Sequence, residues 1–151
     1  MTEQVSKTIT VKRDVASVYN AWANFETFPY FMKYVETVEK LGPKMSHWEV
    51  KGPLGVNVDW NAETTRNDPN QRLGWNTKDH DGTVTTSGEV VFSELPDNQT
   101  KIVVTMTYTL PGGKLGEAVA QLFSDPEKRL EEDLRNFKLY IENGQHDMAA
   151  N

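Results

Sequence analysis

The chain contains no cysteine, which excludes disulfides, thiolate metal sites and a cysteine nucleophile and leaves the redox compartment open. It also has no apolar run near the ~18 residues of a membrane-spanning helix, so insertion into a bilayer by a helix is not expected. The opening MTEQVSKTITVKRD lacks the basic segment and apolar run of a secretory signal, so a cytoplasmic location is expected. Basic residues are the minority, 16 Lys and Arg against 22 Asp and Glu, and the net charge is −6. Without a Lys/Arg cluster to offset that balance, a nucleic-acid partner is not expected. Phosphate-cradling glycine loops, nucleophile elbows and HExxH zinc motifs are also missing, so no metal and no cofactor are expected. Gly52-Pro53-Leu54-Gly55 is too short and too constrained by proline to cradle phosphate.

Apolar residues do recur with period. The 151 residues suffice for one domain that buries roughly 70% of its unfolded surface. In residues 114–143, Leu115, Val119, Leu122, Phe123, Leu130, Leu134, Phe137 and Ile141 fall within about a third of a helical wheel. The phase holds across Pro126, which predicts one long kinked helix or two coaxial pieces. Glu127, Lys128, Arg129, Glu131, Glu132, Asp133 and Arg135 are expected on its solvated face.

Upstream, the period is two. Val5, Lys7, Ile9 and Val11 alternate with Ser6, Thr8 and Thr10 as a first strand. Asp14 is the expected N-cap of a helix carrying Val15, Val18, Tyr19 and Trp22, and Asn24 its stop. Phe25, Phe28, Phe31 and Met32 around Pro29 predict a second short helix. Six further strands follow, around Val35–Leu41, Trp48–Val50, Val56–Thr64, Leu73–Thr77, Val84–Phe92 and Ile102–Leu110. Turns are expected at Gly42-Pro43, Gly52–Gly55, Asp79–Gly82 and Pro96–Asn98. Short connections between successive strands predict an antiparallel meander. Residues 144–151 read as a loose tail.

A sheet closed by one helix has room for few large inward side chains. Trp48, Trp60 and Trp75 fall on inward faces of three strands, and together they would overfill such a core. They are therefore candidate walls of a ligand pocket. Thr64, Thr77, Thr86 and Tyr108 share those faces and are candidates for orienting a ligand, with Leu122 and Phe123 of the helix opposite. Asp59, Asn61 and Glu63 face outward unless a one-residue bulge reverses the strand. His47 points outward, His80 lies in a turn and His146 in the tail, while Asp79-His80-Asp81 is too contiguous to surround one ion. No catalytic residue is assigned from these patterns.

The pattern Val18-x3-Trp22, Pro29, Val35, Val38, Trp48, Val50, Trp60-x-Ala62, Trp75, Gly88-x-Val90-x-Phe92, Thr100, Tyr108 and Leu130-x3-Leu134 with Lys138 and Glu142 is distinctive. It resembles the polyketide cyclase/dehydrase branch of the START-like (Bet v 1-like, SRPBCC) superfamily, from about Val5 to Glu142. The resemblance implies one START-like domain over residues 1–143. It implies an α+β helix-grip fold, in which a curved antiparallel sheet of six to seven strands wraps a long C-terminal helix and two short helices follow the first strand. It also implies a deep apolar pocket for a lipid, quinone or polyketide-like molecule. The glycine-rich loop of the plant allergen branch is absent, and no catalytic set of the aromatase/cyclases matches. Binding or carrying a small hydrophobic partner is thus the leading expectation, without catalysis. The alternatives are a cyclase, dehydratase or aromatase using the same pocket, with Tyr108 as its inward candidate, and a filled-core interaction or stress-related domain.

Overall fold

The computed structural model describes residues 2–33, 35–51, 57–77, 85–109 and 126–143. Strand β1 (Thr2–Val11) leads into helix α1 (Val15–Ala23) and a 3-10 helix (Phe25–Tyr30). Six strands follow: β2 (Val35–Lys40), β3 (Met45–Lys51), β4 (Asn57–Asp68), β5 (Arg72–Thr77), β6 (Thr85–Leu95) and β7 (Gln99–Thr109). Helix α2 (Pro126–Glu142) comes last. The expected long helix is thus described from Pro126 onward, and residues 114–125 lie outside the described residues, as do the turns at 52–55 and 79–82 and the tail at 144–151.

Local chemistry accounts for the boundaries. The Asp14 carboxylate accepts from the Ser17 N–H at 3.1 Å and caps α1, and these Ser17 hydrogen bonds hold its pKa below the ordinary value. The Asn24 N–H closes the helix on the Asn20 carbonyl. Asp97 and Asn98, both at positive φ, make the tight β6–β7 turn, a conformation that short polar residues tolerate.

The strands form one seven-stranded sheet in the order β1-β7-β6-β5-β4-β3-β2, antiparallel throughout. The two strands flanking α1 therefore lie at opposite edges, and the curved sheet grips α2 as expected. Leu134, Phe137 and Ile141 of α2 are fully buried, with Val11, Val18 and Ile102. Phe137 stands 4.8 Å from Trp22 and 5.1 Å from Phe31, ring centre to ring centre. A polar clamp fixes the far end of α2 to β1. Glu142 accepts from the Lys12 N–H at 2.7 Å and from Lys138 Nζ at 2.8 Å, while Lys138 also donates to the Thr10 carbonyl. Burial acts to raise the Glu142 pKa, but these hydrogen bonds outweigh it and the pKa is lowered.

Gly88 is required by packing. It pairs with Trp75 across β5–β6, and a Cβ there would lie 2.3 Å from the Thr105 carbonyl oxygen and 2.8 Å from the indole. Gly88→Ala is therefore expected to lower stability by about 1–3 kcal/mol, as overpacking does. It should also move Trp75, which denaturant unfolding and tryptophan emission will show together.

Candidate functional site

Between the concave face of the sheet and α2, a cavity of about 200 Å³ remains unfilled. One water needs only ~10–15 Å³ of such space, so this is a chamber and not a packing fault. Trp48, Trp60, Thr64, Trp75 and Thr86 line it, as do Trp22, Phe25, Phe28 and Met32 from the helical segment after β1. Register brings the walls together: Trp48 pairs with Trp60, and Thr64 with Trp75. The first two indoles lie parallel, 6.5 Å apart between centres, with Phe28 edge-on to Trp48 at 5.2 Å.

The hydrogen bonds of these walls point largely inward to the protein. Trp48 Nε1 donates to Ser46 Oγ at 2.9 Å, and Trp75 Nε1 to Thr86 Oγ1 at 3.3 Å. Two indoles thereby present apolar faces with their donors already occupied. Thr77 does not line the cavity. Its hydroxyl donates to the Thr86 carbonyl at 2.9 Å and accepts from the Thr86 N–H at 2.6 Å, so it serves the β5–β6 pairing. The Tyr108 side chain, Leu122 and Phe123 lie outside the described residues.

A bulge does occur in β4, where the register with β5 shifts between Thr64 and Arg66. It falls after Asp59 and Glu63, so neither is carried into the cavity. Asp59 instead lies 3.4 Å from His47 on the outer surface, and His47 also bonds Asn61. The bulge's effect is downstream: Asn67 now pairs with Leu73 and accepts a hydrogen bond from the Tyr19 hydroxyl.

The expectation for the charged side of α2 needs correction. Glu127, Lys128, Glu131 and Arg135 are exposed, but Arg129 and Asp133 line the cavity. At ~100° per residue, Asp133 lies within the arc bounded by Tyr140 and Leu134, so its angle already placed it on the buried face. Burial raises the Asp133 pKa from 3.8 to about 7, with Arg129 opposing the rise and Glu132 adding to it. No hydrogen bond reaches this carboxyl among the described residues.

A family model described as polyketide cyclase / dehydrase and lipid transport matches residues 11–135. The chain belongs to that family. The resemblance to polyketide cyclase/dehydrase proteins, drawn from residues scattered between Val5 and Glu142, is thereby established, and the sheet around α2 is the expected helix-grip fold. An uncharacterised 17.2 kDa protein from the melC2-rnhH intergenic region of Streptomyces lincolnensis is 33% identical over 139 residues, covering 92% of this chain and 89% of that one. Among solved structures, a protein of Deinococcus radiodurans is 30% identical with a TM-score of 0.75, covering 94% of this chain and 98% of that one. The aromatase/cyclase of Streptomyces sp. R1128 superposes with a TM-score of 0.78 at 20% identity, over 95% of this chain and 96% of that one, a likeness of fold alone. No helix among the described residues of this family member is long and apolar enough to cross a membrane.

Proposed function

We propose that the protein binds a small, flat, largely apolar molecule in the cavity beneath α2. The observation that carries this reading is the unfilled chamber of about 200 Å³ walled by Trp48, Trp60 and Trp75. A core that merely stabilised the fold would gain by filling it, since voids forfeit dispersion contacts and burial. The chamber also counts against a filled-core interaction domain. Apolar burial at ~25 cal/mol per Å² supplies the driving force.

Tryptophan emission is expected to change on titration with a polycyclic aromatic such as 1,4-naphthoquinone. Trp60→Ala removes about 80 Å² of wall, worth about 2 kcal/mol, and should weaken binding about thirtyfold. Unaltered emission across a panel of apolar probes, with nothing retained in native mass spectrometry, would overturn the reading.

A cyclase- or dehydratase-type reaction is the second reading, and Asp133 favours it. A carboxyl that stays protonated to about pH 7 in an apolar chamber can donate to a carbonyl oxygen and later accept a proton. Arg129, in the same wall, supplies positive charge for a developing oxyanion. Loss of water from a bound carbonyl compound, abolished in Asp133→Asn while binding persists, would establish the enzyme. An unchanged bound molecule would leave only the binder.

A further inference from the structure

A second cavity, of about 80 Å³, shares Phe25, Ser46, Thr64 and Leu73 with the first as a common wall. Its far side is the β2–β3 turn, including Lys40 and Lys44, with Asn67 from beyond the β4 bulge. The polar groups here have an unequal inventory. Ser46 is 4% exposed, and its oxygen already accepts from the Trp48 indole, which leaves its O–H to donate. The Asn67 carbonyl accepts from Tyr19, which leaves its NH2 group. The Lys44 carbonyl is taken by the Thr64 N–H and that of Met45 by the Leu41 N–H.

No carboxylate is found among the described residues lining this space, and neither lysine has an ion pair among the described residues. Lys40 Nζ sits 6.0 Å over the ring of Phe25, at the partition between the chambers. The small cavity therefore offers a surplus of donors and two cations, on a molecule whose net charge of −6 would otherwise repel an anion.

We propose that the guest of the apolar chamber is an amphiphile ending in an anionic oxygen group, such as a carboxylate. That group passes Phe25 and is held by Lys40, Lys44, the Ser46 hydroxyl and the Asn67 amide. The inference rests on the binding role proposed above, and it adds the polarity and placement of the ligand's end. A charge-assisted hydrogen bond outweighs a neutral one, so the charged end selects among apolar guests of equal size.

Calorimetric titration with 2-naphthylacetate, the uncharged 2-naphthylethanol and acetate tests this. The carboxylate is expected to bind about tenfold more tightly than the alcohol at low salt, and acetate alone not detectably. Both lysines are exposed, so Lys40→Gln/Lys44→Gln should fold normally, with its melting temperature as the check. That double variant should lose the tenfold margin and bind the alcohol as before. Equal affinity of the two naphthyl probes, or a margin that survives in the double variant, overturns the subsite while leaving the apolar chamber in place. Acetate binding as tightly as the naphthyl acid would show a free-anion site and overturn the amphiphile. If neither naphthyl probe binds, the binding role fails and the subsite falls with it.

Discussion

Asp133→Asn is expected to make the protein more stable than the wild type at pH 8 and nearly equal to it below pH 4. The sign follows from where the proton sits. Burial raises the carboxyl from 3.8 to about 7 in the folded chain, whereas the unfolded chain keeps the ordinary value. Between those values the folded state binds the extra proton, so stability falls as pH rises from about 4 to about 7 and stays low above it. Each pKa unit is worth about 1.4 kcal/mol, and partial exposure of the side chain reduces the total to about 2–3 kcal/mol. An amide cannot ionise, so the variant should lack this slope. Thermal unfolding at pH 4, 6 and 8 will show the divergence, about 4–10 °C at the highest pH for a chain of this size. Parallel curves for the two proteins would mean that Asp133 is solvated after all. A carboxyl that weakens the fold at neutral pH, lining an unfilled cavity, is consistent with the proposed cyclase-type reading.

Phe137→Ala should cost about 3–5 kcal/mol, roughly a fifth or more of the stability of an ordinary domain. Phe137 is fully buried and joins α2 to Trp22 and Phe31, the residues that hold the helical segment after β1 over the sheet. Truncation leaves a void among aromatic rings that cannot easily collapse. Leu139 lies two residues away on the same helix but is exposed, and Leu139→Ala should stay within about 0.5 kcal/mol. Urea unfolding of the two variants gives the comparison. Similar midpoints would contradict the packing of α2 described above. Because Trp22 also lines the chamber, Phe137→Ala should alter ligand affinity as well, even though Phe137 does not line it.

Period and turn chemistry made the strands, the capped α1 and the inward tryptophans legible in the chain. A side chain's face follows from its position along a regular element, and Trp48, Trp60 and Trp75 each sit on such an element. The β4 bulge is different. Nothing in Thr64-Thr65-Arg66 marks it, since a one-residue shift depends on the partner strand and not on local preference. Its consequence, Asn67 turned toward Tyr19, was equally hidden. For Asp133 two local signals conflict: a carboxylate normally faces solvent, whereas its angle on the helix places it on the buried face.

The sequence by itself determined the fold class, the order of elements and the aromatic wall, because periodicity and turn residues act over a few neighbours. Only the tertiary structure decided that the wall borders unfilled space, that Arg129 and Asp133 complete it, and that a donor-rich cavity adjoins it. Volume left between elements, and charge brought into a cavity, depend on how distant segments meet, and no local pattern records that.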